Sequence, residues 1–179
     1  MLLRAIEYPT DTVESRVEMK YNRAGQVVER KDQANTIHAY TFDILGRQTQ
    51  DRVIAMGSGL DASSLRIATA YEIRGMVASI TSFDSASPDP CDCEAGIINQ
   101  TLYTYNTFGQ LITDQQSHDG AVSVSTSPKV QYTYATGGSS SNQIRPLTII
   151  YPDGRIVTYN YGTASAMNDK LNRVESLDE

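Results

Sequence analysis

The sequence predicts an all-β protein: antiparallel β-hairpin repeats in a meander, forming part of an open twisted sheet. Three observations predict it. A short phrase recurs, an aromatic, then Asn, Asp or Glu, then two variable residues, then Gly: Tyr21-Asn-Arg-Ala-Gly25, Phe42-Asp-Ile-Leu-Gly46, Tyr71-Glu-Ile-Arg-Gly75 and Tyr105-Asn-Thr-Phe-Gly109. Aromatics sit two apart before and between the copies, at Tyr40/Phe42, Tyr103/Tyr105, Tyr132/Tyr134 and Tyr159/Tyr161, which places each pair on one face of a strand. The composition has 11 Tyr, 3 Phe and no Trp, and no window carries a sustained helical period with caps.

Each phrase reads as a turn. An acidic or amide residue three positions before Gly bonds to its local backbone, and the fourth residue takes a left-handed conformation that forms a bulged hairpin loop. Gly adopts that conformation without a Cβ clash and Asn is the next choice. The expected turn residues are therefore Gly25, Gly46, Gly75, Gly109 and Gly154, with Asn172 in a fifth copy, Asn168-Asp-Lys-Leu-Asn172. The turn also fixes register. Asn22 faces Gln26, Asp43 faces Arg47, Asn106 faces Gln110 and Asp169 faces Arg173. One step out, Tyr21 faces Val27, Phe42 Gln48, Tyr71 Val77, Tyr105 Leu111 and Asn168 Val174. Polar meets polar on one face, and aromatic mostly meets aliphatic on the other, pairings that each stabilise a sheet by roughly 0.2–1 kcal/mol.

Two further turns stand between copies. Tyr151-Pro-Asp-Gly154-Arg places Ile150 opposite Ile156, and Ser117-His-Asp-Gly120-Ala places Gln116 opposite Val122, so Leu102 to Tyr161 reads as a continuous meander. Met1 to Val17 reads as the strands of a partial repeat. The copies start at residues 21, 42, 71 and 105, and the extra length falls in loops near 55–64, 85–96 and 135–142, rich in Ser, Gly, Pro or Asp. Tight turns are expected along one edge, with variable connections on the other. At 179 residues, the chain is expected to be a single repeat segment, 1–179.

Chemistry is sparse in this pattern. The net charge of −6 argues against a nucleic-acid or anionic-membrane partner, and no apolar run has transmembrane length. Met1-Leu-Leu-Arg-Ala-Ile is too short for the apolar core of a signal peptide. Cys91 and Cys93 lie without a second Cys pair or nearby His, so no metal site is assigned. Two plain loop thiols, a strained disulfide, or weak capture of a cation with Asp84, Asp89, Asp92 and Glu94 stay open. His38 and His118 stand far apart, with no nucleophile elbow, zinc-binding His-Glu motif or phosphate loop near them. No catalytic residue and no cofactor is expected. The tyrosines read as lattice residues, or alternatively as a sugar-stacking ladder through Tyr103, Tyr105, Tyr132 and Tyr134. A β-propeller is disfavoured, because its blades need about 40–45 residues each.

The phrase resembles the YD repeats of RHS (rearrangement hotspot) proteins, toxin-complex subunits and teneurins. Tyr105-Asn-Thr-Phe-Gly109-Gln-Leu, Phe42-Asp-Ile-Leu-Gly46-Arg, Tyr151-Pro-Asp-Gly154-Arg and Asp169-Lys-Leu-Asn172-Arg-Val-Glu-Ser-Leu carry the resemblance, which spans about Met19 to Leu177. It implies hairpins wound into a spiral shell, and a non-catalytic, structural and encapsulating role in a secreted or cell-surface protein of polymorphic-toxin type. It also implies partners: other repeats of the same longer chain, an encapsulated C-terminal domain, and a carbohydrate or cell-surface ligand. No stretch matches the family's core segment or a toxin domain, so self-cleavage and toxicity are not carried over. The chain begins and ends inside the pattern, and is expected to be a fragment or a truncated reading frame that self-associates through its edge strands when isolated.

Overall fold

The computed structural model describes residues 2–8, 16–87, 96–136 and 144–179. The chain is all-β: thirteen antiparallel strands in one open sheet, hydrogen-bonded in sequence order. Its Cα framework forms two compact units, Met1–Gln100 with His118–Ala121, and Thr101–Ser117 with Val122–Glu179.

The first unit holds β1 (Ala5–Glu7), β2 (Arg16–Tyr21), β3 (Val27–Lys31), β4 (Ile37–Phe42), β5 (Gln48–Ala55), β6 (Arg66–Tyr71), β7 (Val77–Phe83) and the start of β8 (Ile97–Tyr105). The second holds the end of β8, then β9 (Leu111–Ser117), β10 (Lys129–Tyr134), β11 (Pro146–Ile150), β12 (Ile156–Asn160), the helical turn α1 (Met167–Lys170) and β13 (Ser176–Asp178).

The register follows from the turns. Tyr21 pairs with Val27, Phe42 with Gln48 and Tyr71 with Val77, each beside a one-residue shift that marks a bulge. Ile150 pairs with Ile156. Gly25, Gly46 and Gly109 have φ of 81°, Gly75 94° and Gly154 87°. That backbone is open to glycine and strained for a residue with a Cβ.

Three expectations are corrected. Tight turns occur at both ends of the strands, because Asp32-Gln-Ala-Asn35-Thr36 closes β3 onto β4 with Asn35 at φ 66°. In an antiparallel series this turn lies opposite those of Gly25 and Gly46. The Ser117–Ala121 phrase does not close a tight hairpin: Gly120 donates its amide to the Ile98 carbonyl (3.0 Å), and Gln116 donates to Pro128 (3.2 Å) instead of meeting Val122. The chain instead runs on to a second turn at Ser123, whose carbonyl accepts from Ser127 (2.9 Å). Gln115, only 2% exposed, holds that loop by donating to the Val124 carbonyl. Finally, the fifth copy is not a hairpin. Asn168 to Asn172 lies in and just after α1, so Asp169 does not face Arg173 and Asn168 does not face Val174.

Little of this chain is core. Among the described apolar residues, only Val17, Phe83 and Tyr161 are buried, and no side chain falls below 2% exposure. Among the described residues, strand–strand packing joins sequence neighbours alone. Residues 56–65 join β5 to β6, while residues 88–95 and 137–143, which hold Cys91, Cys93 and most of the other two expected loops, lie outside the described residues.

Replacing Gly46 or Gly109 by Val is expected to cost about 1 kcal/mol or more, because a β-branched residue is forced to positive φ. Asn35→Gly is expected to be neutral. Urea unfolding of the three variants checks the turn assignment, and equal tolerance at all three sites would remove it.

Candidate functional site

The recurring structural site is the turn and what it touches. In each copy the first turn residue and the residue four on share one backbone bond, as from the Asn22 amide to Gln26 (3.0 Å), Asp43 to Arg47 (3.0 Å), Glu72 to Met76 (2.9 Å), Asn106 to Gln110 (2.9 Å) and Tyr151 to Arg155 (2.9 Å). The left-handed residue donates back, as Gly46 does to Asp43 (3.0 Å). The acid or amide side chain then collects two amides: Oδ1 of Asp43 accepts from Leu45 and Arg47 (both 2.9 Å), and Oδ1 of Asn106 from Phe108 (2.9 Å) and Gln110 (3.0 Å). Above the turn, Asn22 donates to Gln26 Oε1 (2.7 Å), and Arg47 donates to Asp43 Oδ2 (2.7 Å). Burial pushes the Asp43 carboxyl up, but the hydrogen bonds from Arg47 and Leu45 outweigh it and hold the pKa below the ordinary range. Glu72 behaves alike, with Arg74 and Met76 as donors.

Residues just after the turn reach the next copy. Gln26 Nε2 donates to the Gly46 carbonyl (2.9 Å). The Arg47 guanidinium lies 4.3 Å from the centroid of the Tyr71 ring, a contact worth about 0.5–1 kcal/mol when exposed. Tyrosine hydroxyls bond in the other direction, to the preceding strand or, for Tyr21, to the residues that lead into it. Tyr21 donates to the Leu3 carbonyl, Tyr71 to Gln48 (2.9 Å), Tyr134 to Leu111 (2.9 Å) and Tyr161 to Pro146 (3.0 Å). Each ring thereby satisfies its polar tip while lying across the neighbouring strand.

Tyr103, Tyr105, Tyr132 and Tyr134 are half-buried on β8 and β10. Burial raises the Tyr103 and Tyr132 hydroxyl pKa values, and nearby Asp114 raises both further. Asp114 itself is raised by burial and makes no hydrogen bond through its carboxylate among the described residues. Tyr40 is raised in the same way by burial and then by Asp51, its direct cross-strand partner. Both acids stand nine residues after the phrase aromatic, Phe42 and Tyr105, a spacing that the turn register makes legible in the sequence. Asp51 also bonds His38 Nδ1 (2.7 Å), whose ring stacks on Tyr40. Among the described residues, no three His, Cys, Asp or Glu side chains group as metal ligands, and no helix is long and apolar enough to cross a membrane.

The fifth phrase has a different role. Arg173 donates to the Asn168 carbonyl (2.8 Å) and Asn172 to Asp169 (3.2 Å), the two bonds of a Schellman cap, with Asn172 left-handed at φ 53°. Arg145 clamps this cap. Its guanidinium donates to Asp169 Oδ1 (2.7 Å) and Asn172 Oδ1 (2.7 and 3.0 Å), and lies 4.1 Å from the Tyr161 ring centroid. Asn172 is therefore a ligand of Arg145 as well as a left-handed residue, and Gly cannot replace it without losing those bonds.

No family model matches the chain, and no curated protein matches it. Among solved structures it is similar to one described as the crystal structure of TcdB2-TccC3-Cdc42, at 13% identity and a TM-score of 0.36, over 83% of this chain and 9% of that one. It is also similar to the Photorhabdus luminescens Tc holotoxin pore with a mutated TccC3, at 15% identity and a TM-score of 0.32, over 82% of this chain and 8% of that one. The chain thus spans less than a tenth of either. At these scores the overlays carry no argument of their own. The chain resembles the hairpin repeats of RHS proteins and toxin-complex subunits through its turn phrase and register.

Tyr134→Phe is expected to destabilise by about 0.5–1.5 kcal/mol, the net worth of a hydrogen bond, with circular dichroism of the sheet unchanged before unfolding. The Asp169 carboxyl is held below its usual range by the Arg145 side chain and then by the Ser165 amide. A depressed folded pKa contributes stability above the unfolded pKa, lost as pH falls through the folded value. Asp169→Asn should therefore lower the melting temperature at pH 7, with the gap closing as the solution is acidified below the ordinary carboxylate range. A gap independent of pH would contradict the ion pair.

Proposed function

We propose that residues 1–179 form one wall segment of a larger β-sheet shell, a structural and non-catalytic module of the YD-repeat kind. The observation that carries this reading is the absence of a closed core among the described residues, where strands pack on sequence neighbours alone and three apolar side chains are buried. Such a sheet gains stability from neighbours added at its ends, as stacked repeats do. Its partners are further hairpins of the same longer chain. The enclosed C-terminal domain and the secreted or cell-surface setting belong to the same proposal through the resemblance. Gly25, Gly46, Gly75, Gly109 and Gly154 turn the chain in it, and Asn172 ends α1.

The turn tips add a contact surface. Ile44 and Ile73 are fully exposed and Leu45 is 72% exposed, on neighbouring turns at one end of the first unit. Apolar tips in series suit packing against an adjoining segment. The alternative, a carbohydrate-binding β-domain using Tyr103, Tyr105, Tyr132 and Tyr134, has less support, since the Tyr134 hydroxyl is already donated to a backbone carbonyl.

Both ends of the strand order carry short strands with apolar residues exposed, Ile6 on β1 and Leu177 on β13. Exposed strand edges recruit other strands. Light scattering on the isolated chain is expected to give a mass above the 19.7 kDa of one copy, and Leu177→Pro with Ile6→Lys to shift it towards monomer. A clean monomer of the unaltered chain would count against the wall reading.

A further inference from the structure

We infer that Arg52 and Arg66, with Gln50, form a binding site for a small tetrahedral oxyanion of the phosphate or sulfate class. The two arginines are direct cross-strand partners on β5 and β6, so their side chains leave the same face of the sheet. Gln50, two residues before Arg52, shares that face. Arg66 is 4% exposed and Arg52 is half-buried.

Neither guanidinium has a carboxylate partner among the described residues. Arg66 Nη1 donates to the Ser87 carbonyl (2.6 Å), and Arg52 Nη1 reaches the Ala86 carbonyl at 3.5 Å. The Arg66 guanidinium lies 3.7 Å from the centroid of the Phe83 ring, its cross-strand partner on β7. The Nε atoms of both arginines are buried without a hydrogen-bond partner, and so is Oε1 of Gln50.

Arg66 differs from the other arginines that lie over aromatic rings. Arg47 over Tyr71 is held by Asp43 (2.7 Å), Arg145 over Tyr161 by Asp169 (2.7 Å), and Arg155 over Tyr151 by Glu179 (3.4 Å). Two acids near Arg52 and Phe83 in sequence, among the described residues, lie elsewhere. Asp51 points to the opposite face and bonds His38, and the Asp84 carboxylate lies against Gly96. Two like charges directly opposite destabilise a sheet, and buried charges are ordinarily paired.

The free Nε side of a guanidinium is a two-point donor for an oxyanion. Two such forks on strands about 4.8 Å apart offer four N–H groups to one anion. A tetrahedral XO₄ ion has enough oxygens to accept from both forks, whereas a carboxylate has two. The Gln50 amide, whose O and N positions follow from the hydrogen bonds available, turns its NH₂ to the same ion.

The test uses the full 179-residue chain at pH 7, with its melting temperature followed by circular dichroism. Sodium phosphate and sodium sulfate are compared with sodium chloride and sodium acetate at matched ionic strength. Phosphate and sulfate at roughly ten times Kd are expected to raise the melting temperature by about 3 °C, and chloride and acetate by less than a third of that. Arg52→Gln, at the more exposed of the two arginines, is expected to lose the shift. Arg52→Lys keeps the charge without the fork, is expected to lose at least half of it, and decides the matter if Arg52→Gln does not fold. No shift beyond chloride, or an equal shift in the Arg52 variants, would overturn the site. An acetate shift equal to that of phosphate would overturn the tetrahedral-anion assignment.

Discussion

Everything in this fold depends on a four-residue turn that puts its last residue at positive φ. That residue sets a bulge, and the bulge sets which residue faces which on the two strands that follow. A slip of one position would move each aromatic to the opposite face of the sheet. The acid or amide at the head of the turn guards against such a slip. Asp43 and Asn106 each gather two backbone amides, so the turn is closed by the side chain as well as by the backbone. Tyr151-Pro-Asp-Gly154 reaches the same backbone bonds with Pro presetting the second residue and Asp153 accepting from Arg155 (3.0 Å). The turn is a conformation that several residue combinations satisfy, rather than a fixed string.

With so few apolar side chains buried, the contacts between copies are directional. Tyrosine hydroxyls end on backbone carbonyls, and arginines lie over aromatic rings while a carboxylate holds their charge. Arg145 joins both habits: it covers Tyr161, pairs with Asp169 and fixes the cap at Asn172. These contacts join neighbouring hairpins, a short-range order of the kind found in stacked repeats. Arg66 departs from this habit, since it lies over Phe83 with no carboxylate partner among the described residues, and Arg52 faces it across the strands.

The parts legible in the sequence were those set by local backbone chemistry. The positions of Gly25, Gly46, Gly75, Gly109 and Gly154, and the pairs Tyr21–Val27, Tyr71–Val77 and Ile150–Ile156, follow from the turn alone. The Asn35 turn was equally local, with Asp32 three residues before it, but no aromatic marks it. The fifth copy was misread because a left-handed Asn ends a helical turn as readily as a hairpin, and the clamp that selects the helix comes from Arg145, far away in sequence. The 117–121 phrase failed for a related reason: Gln115 buries its amide against Val124, and tertiary contact overrides a sound local turn. Nothing local shows that Arg52 and Arg66 face each other, because that needs the register between two hairpins joined by a loop of variable length.

Neighbour-to-neighbour contacts, set by the turns, hold the described part of the sheet without a shared core. Native-state hydrogen exchange resolved by residue tests it most directly. Protection is expected to change hairpin by hairpin, lowest in β1 and β13 and highest in β4 to β7, with the Gly46 and Gly75 amides protected together with the strands they join. Exchange of all strands in one step, at a single opening free energy, would mean one cooperative core and would contradict it.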